Sequence, residues 1–356
     1  MWGDIAIAFV LAFITAYVVT PYSMRFAKKI NAVDKPEERR VNKVVMPRLG
    51  GLAILSGFFV SMIYLIVSMA LEDKADLNEY YFKLIGFFLG IIIISFVGFI
   101  DDIKGIKPLT KLLGQTIAAG VVMAFGITIG DINVPIFDKL IELNGTLEYI
   151  ITWFWIVGIT NAINLTDGLD GLSSGIILIA CVSLVIIFAS NNSPLISIIL
   201  ITALAGGIVG FLPFNFNPAK TFMGDCGSNF LGFAISIISI LGVAKTYTII
   251  VIIAPLIVLA LPIFDTAFAI IRRIIKGKSL KAVFEPDSGH LHHRLMKLGY
   301  SQKGAVLILY AVAATLGMFA IILLESGFWK AVSFALLVIA IFAMGYKDIL
   351  KKNQDE

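Results

Sequence analysis

Of 356 residues, 59% are hydrophobic and only 15% charged, and the mean hydropathy is +0.95. That balance excludes an ordinary soluble domain, and a formal net charge of +4 gives no reason to expect a nucleic-acid partner. Apolar stretches of roughly 20 residues, the length that crosses a bilayer, predict about eleven spanning helices. In chain order they are 2–24, 49–70, 84–100, 112–130, 149–163, 172–190, 195–213, 227–243, 247–272, 304–324 and 327–346. The first has no basic start and no small-residue cleavage site, so it reads as a true span and not a signal peptide. Several spans meet through short turns. The expectation is an all-α polytopic membrane protein with one integral-membrane domain, 1–346, and a short tail, 347–356.

With the N-terminus outside, every one of the 28 lysines and arginines falls inward except Lys74, Lys83, Lys139, Lys245 and Lys330. Basic residues gather on the cytoplasmic side, so the C-terminus is expected in the cytoplasm. Topology explains most of this excess, and attraction to anionic lipids or substrates the rest.

Five polar motifs fall on that inward side, which argues for a single site. Met46-Pro47-Arg48-Leu49-Gly50-Gly51 follows span one. Asp101 and Asp102 end span three, with Lys111 and Gln115 following. Carboxylates are disfavoured at a helix C-terminus, where the dipole is already negative. The pair therefore calls for a cation, either a metal or Lys104 and Lys111. Oxygen ligands of this kind suit Mg2+, which takes one or two carboxylates with phosphates and water.

The third motif runs from Asn161 through Asn164, Asp167, Gly168, Asp170 and Gly171 to Leu172. Ionisable groups at the edge of hydrocarbon are costly unless paired, hydrated or cation-bound, and no basic residue neighbours Asp167 or Asp170 in sequence. Asn164, Asp167 and Asp170 share a face if the helix continues. The two glycines can instead break it, leaving Asp170 as an N-cap.

In the fourth motif, Asn215 to Ser228, Gly224 and Asp225 open span eight. Such a start offers backbone amides to phosphate oxygens. Asp225 reads as cap, metal ligand or both, and Phe222 as core filler or a stacking partner for a nucleobase. Cys181 and Cys226 form neither a disulfide on the reducing side nor a zinc pattern. The fifth motif, Gly289-His290-Leu291-His292-His293-Arg294, holds all three histidines. Adjacent histidines diverge on a helix, so zinc is rejected. His290 and His293 are expected on one face beside Arg294, suited to charge-assisted bonds to phosphate. Gly299 should end this short helix and Ser301 cap span ten.

Acids, amides, a phosphate-receiving helix start and basic donors together fit Mg2+-dependent transfer of a phosphoryl-linked group, where catalysis is mostly positioning and charge neutralisation. A lipid is the expected donor or acceptor, because a soluble reaction needs no such frame.

In this order the motifs resemble the polyprenyl-phosphate N-acetylhexosamine-1-phosphate transferases over essentially the whole chain. The motifs at Pro47–Gly51 and Gly289–Arg294 are similar to the branch using UDP-GlcNAc, not the one using UDP-MurNAc-pentapeptide. The resemblance implies transfer of GlcNAc-1-phosphate from UDP-GlcNAc to undecaprenyl phosphate, yielding GlcNAc-diphosphate-undecaprenol and UMP. It places the reaction at the cytoplasmic face of a bacterial cell membrane, within the lipid bilayer, with Mg2+ or Mn2+ as the metal. It implies Asp225, with Asp101 and Asp102, as metal ligands. Asp101, Asp102, Asp167, Asp170, His290 and His293 become the catalytic candidates. Arg48, Lys111, Asn164, Asn215, Phe222, His292 and Arg294 become the substrate-binding candidates, with Asn215 and Phe222 at the uridine. Asn42 stands where histidine is frequent, and Cys226 where serine is. A homodimer is compatible with the resemblance and leaves no mark in the residues.

UDP-GalNAc and UDP-MurNAc-pentapeptide remain alternative donors. A secondary transporter is the competing class, opposed by acids that gather at one face and by the lack of an internal repeat. Direct attack by the lipid phosphate competes with a two-step route through an aspartyl-linked sugar phosphate.

Overall fold

The apolar segments fold as helices in the computed structural model, which describes residues 2–35, 44–71, 76–130, 132–134, 139–141, 143, 145–243, 249–277, 279 and 289–352. In chain order these are α1 (Trp2–Lys29), β1 (Val33–Asp34), β2 (Met46–Pro47), α2 (Gly51–Leu71), α3 (Asp76–Lys104), α4 (Pro108–Ala124), β3 (Ile132–Val134), β4 (Lys139–Ile141), α5 (Gly145–Thr166), α6 (Leu172–Ser190), α7 (Leu195–Asn215), α8 (Gly224–Val243), α9 (Ile249–Val258), α10 (Ala260–Gly277), α11 (Leu291–Lys297), α12 (Gln302–Ser326) and α13 (Phe328–Lys352). The strands form two small antiparallel pairs, β1 with β2 and β3 with β4.

Among the described residues, eight helices are long and apolar enough to cross a membrane. With the shorter apolar α4 and α13 and the pair α9–α10, they match the expected set of about eleven. The protein is an all-α polytopic membrane protein.

Three boundaries differ from expectation. Helix α4 begins at Pro108, a residue suited to a first turn, and stops at Ala124 because Gly126 takes φ +81°. The span expected over 247–272 is broken at Leu259, while residues 247 and 248 lie outside the described residues. Pro262 lacks an N–H, and its ring opposes the carbonyl four residues back, at Val258. Helix α13 continues to Lys352, past the limit expected at 346.

Small residues let the helices approach closely, as membrane packing requires. Ala8, Ala12, Ala16 and Thr20 form a buried stripe on α1. Gly57 of α2 and Gly206 and Gly210 of α7 press on α1 so tightly that a Cβ would stand 2.4 Å from the backbone oxygens of Ala12, Phe9 and Phe13 respectively. At the centre stands α8, buried along its length apart from Asp225, as a helix apolar on all sides should be. Phe58 of α2 packs edge-on against Phe230 of α8 (5.6 Å) and Phe87 of α3 (6.1 Å), tying three helices together. The C-terminal ends of α3, α5 and α7 and the N-terminal ends of α4, α6 and α8 gather at one end of the bundle, where the polar motifs meet.

Candidate active site

Arg48 is aimed by backbone pairing between two motifs. Phe222 N donates to Pro47 O (2.8 Å), while Gly50 N and Gly51 N donate to Phe222 O (3.0 Å) and Met223 O (2.9 Å). The approach requires glycine: a Cβ on Gly51 would lie 2.2 Å from Gly227 Cα. Arg48 then faces three carboxylates, Asp225 Oδ2 at 2.9 Å, Asp102 Oδ1 at 3.5 Å and Asp34 Oδ1 at 3.9 Å.

The first amides of α8 do not wait for phosphate. Asp102 accepts from Asp225 N (2.8 Å) and Cys226 N (2.9 Å), so α3 supplies the anion that the helix start favours. Asp101 turns the other way, 3.0 Å from Lys111 Nζ and accepting from Ile106 N at 2.8 Å. Lys111 also bonds Asp225 Oδ1 and Asn164 Oδ1 (the latter at 3.1 Å). Asn164 Nδ2 donates to Asp225 Oδ1 (2.7 Å) and Ser228 Oγ (2.8 Å). Asp225 is thus held by Arg48, Lys111 and Asn164. The acids expected to act together as metal ligands are divided: Asp225, though paired with Arg48 and Lys111, lines the cavity described below, whereas Asp102 holds the α8 amides and Asp101 pairs with Lys111 outside its lining.

Helix α5 ends at Thr166, so Asn164, Asp167 and Asp170 do not share a helical face. Nor does Asp170 cap α6, where Gly171 at φ +73° occupies the cap position without a side-chain bond. Asp170 Oδ2 accepts instead from Asn217 Nδ2 (2.9 Å) and Ala219 N (3.0 Å), pinning the α7–α8 connection. Asn215 is similarly spent, accepting from Ser174 Oγ (2.7 Å) and donating to Thr221 O (3.1 Å).

A cavity of about 400 Å3 opens here, lined by Arg48, Asn164, Asp167, Phe222, Asp225 and His293 among others. Burial pushes the Asp167 pKa up to about 7, with the Asp225 and Asp170 charges adding and Arg48 opposing. Among the described residues no side chain is hydrogen-bonded to its carboxylate.

The histidines have unequal places. His290 sits at the N-cap of α11 with extended backbone, outside the helical turn, so it does not share a face with His293. Its Nδ1 lies 2.8 Å from Asp265 Oδ2, both residues buried. The His292 ring lies parallel to it, with centroids 5.7 Å apart. Burial, then the neighbouring His293 and His290, pushes the His292 pKa down to about 4 against the pull of Asp265. His292 is therefore neutral near pH 7 and not the cationic phosphate donor expected. Of the three, His293 reaches the cavity. Arg294 is exposed and donates to Gly289 O at 3.0 Å, away from the cavity lining.

Sequence inspection missed Asp34, Gln302 and Asp265, and took in Ser228 only as the end of the fourth motif without a role. Asp34 and Gln302 lack a distinctive local pattern, but Asp265 is the only acid between residues 247 and 272, which is a usable signal. Asn42, Asp287 and Ser288 lie outside the described residues.

The sequence pattern of glycosyl transferase family 4 matches residues 84–243, from α3 to the end of α8. A probable undecaprenyl-phosphate N-acetylglucosaminyl 1-phosphate transferase of Bacillus subtilis is 38% identical over 338 residues, covering 95% of this chain and 90% of the relative. The chain belongs to glycosyl transferase family 4. A decaprenyl-phosphate N-acetylglucosaminephosphotransferase of Mycobacterium leprae is 32% identical, covering 86% of the chain and 80% of the relative. A phospho-N-acetylmuramoyl-pentapeptide-transferase of Borreliella burgdorferi is 31% identical, covering 90% and 94%. In this family 4 transferase, the matched segment carries every acid of the cavity except Asp34. Arg48 and His293 lie outside it and reach the site only through the fold.

Proposed function

We propose that this family 4 transferase moves GlcNAc-1-phosphate from UDP-GlcNAc to undecaprenyl phosphate and releases UMP. The proposal rests above all on Asp167, Asp225, Arg48 and His293 lining one cavity, in a chain 38% identical over 95% of its length to a relative of that name. The inward gathering of lysines and arginines supports a cytoplasmic site.

An oxygen of the acceptor phosphate attacks the β-phosphorus of the donor. The new P–O bond forms as the bond to the bridging oxygen breaks, and that oxygen leaves with UMP. A phosphate monoester has a second pKa of about 6, so the acceptor is already largely dianionic and needs no strong base. Arg48, which lines the cavity, would share its charge with a diphosphate, and Lys111 supports Asp225 from behind. Phe222 offers a ring at the cavity wall for the uracil, and His293 a donor for the sugar or phosphate end.

The residues fit a magnesium ion, with Mn2+ as a substitute. Asp167 brings to the cavity a carboxylate with no side-chain hydrogen bond among the described residues, and Asp225 brings a second, paired with Arg48 and Lys111. No cluster of three or more Asp, Glu, His or Cys forms a ready-made cage among the described residues. Two carboxylates completed by substrate oxygens and water are the arrangement Mg2+ prefers. Asp167 and Asp225 would hold the ion, which when bound neutralises diphosphate charge.

The test offers purified protein, undecaprenyl phosphate and Mg2+ with UDP-GlcNAc, UDP-GalNAc or UDP-MurNAc-pentapeptide, and measures UMP. UMP should appear from UDP-GlcNAc, vanish on chelation, and fall at least about 10²-fold in Asp225→Ala. Release from another donor alone would reassign the sugar. No UMP from any donor, with labelled nucleotide sugar accumulating in vesicles, would make the protein a transporter. Exchange of labelled UMP into UDP-GlcNAc without lipid would favour the two-step route.

A further inference from the structure

Asp265 lies on α10, whose outer side presents the exposed Phe264, Phe268, Ile271 and Ile275. A buried carboxylate persists on such a helix only when its oxygens are satisfied. Both are: Oδ2 meets His290 Nδ1 at 2.8 Å, and Oδ1 accepts from Leu291 N at 2.9 Å. An ionised carboxylate only accepts, so Nδ1 of His290 carries the proton and the ring is held in one tautomer and one orientation. His292 lies parallel to that ring, and beyond it stands Gly168, where an added Cβ would be 2.5 Å from His292 Nε2. Thr166, Leu172, Asp265, Leu291 and His292 surround one void of about 10 Å3, so both stems of the 167–171 loop rest on this cluster. The His292 and His293 rings are 4.2 Å apart, carrying the contact on to the cavity.

We infer that Asp265 is a positioning residue for the transfer: it locks His290, whose stack with His292 seats the Gly168 backbone and thereby sets Asp167 and His293 in the cavity. No part of Asp265 lines that cavity, so it acts through the residues it holds, His290 and the start of α11. Its kinetic consequence rests on the transferase activity proposed above, whereas its structural consequence does not.

The test uses the full-length protein with Asp265→Asn, close to isosteric, alongside Asp265→Ala, His290→Ala and the double alanine variant. Displacement of Asp167 should lower kcat by about 10²-fold while KM for UDP-GlcNAc moves little, the mark of an interaction needed in the transition state. The double variant should be no slower than His290→Ala, because both changes break one unit. Hydrogen exchange should rise at residues 166–172 and 290–297 and stay unchanged in α8. A kcat within about twofold of wild type, additive losses, or exchange that rises uniformly or not at all at 166–172 would each overturn the inference. Should the wild type release no UMP, the transferase proposal fails and hydrogen exchange alone decides the role of Asp265.

Discussion

Asp101 and Asp102 are adjacent in the chain and part company in the fold. On a helix, neighbouring side chains point about 100° apart. One therefore faces α4 and Lys111, while the other turns to the start of α8. Sequence alone marked both as acids in need of a cation, but which cation, or which amide, depends on what packs beside each. His292 shows the same limit. The resemblance marked it as a substrate-binding residue of the basic run, and burial makes it neutral. That burial has a pH consequence, with His290, His293 and Asp265 as the groups facing it. Its folded pKa of about 4 lies below the ordinary 6.5, so the unfolded chain takes up the proton first. The stability it contributes is present above pH 6.5 and is lost as pH falls through 4. The thermal unfolding temperature should fall as pH drops through that window, and His292→Gln should flatten this part of the profile. Matching profiles would show that His292 does not titrate there.

At the scale of elements, helix identity follows from hydropathy, while helix ends follow from local chemistry. Ser301 accepts from Gly304 N as the cap expected for α12, and Gly299 at φ +92° closes α11. The end of α5 was left open between a continued turn and a break, and Gly168 and Gly171 broke it. The start of α8 carries the tightest demand. Gly224 has φ +73°, and a Cβ there would lie 1.9 Å from Arg48 O and 2.6 Å from Asp102 Oδ2. Gly224→Ala therefore strains the backbone and pushes apart the elements that position Arg48 and Asp102. It should reduce the yield of folded protein and lower the unfolding temperature by more than Gly120→Ala, where no atom lies within 4 Å of the added Cβ. Equal unfolding temperatures would show that the junction yields.

Across the whole molecule, alternating helices bring every chemically suggestive motif to one end, as the distribution of basic residues led one to expect. A cysteine at Lys107, in the connection before α4, should react with a membrane-impermeant reagent only after permeabilisation. A cysteine at Gly327, between α12 and α13, should react in intact cells. The reverse pattern would invert the topology and move the site outside. The same bundle brings Arg48, before α2, and His293, after α10, to acids carried by α3, α8 and the α5–α6 connection, although the chain separates them by many helices.

The residues themselves determined the membrane class, the approximate number and extent of the spans, the gathering of polar motifs at one end and the family resemblance. Hydropathy, charge bias and motif order are properties of the chain read along its length. Tertiary structure alone decided which partners each carboxylate meets. Asp102, Asp170 and Asp225 all take backbone or side-chain partners from distant elements, whereas Asp167, at the same cavity as Asp170 and Asp225, has no side-chain hydrogen bond among the described residues. Whether a polar side chain is satisfied depends on groups brought to it from distant helices, which no local spacing encodes.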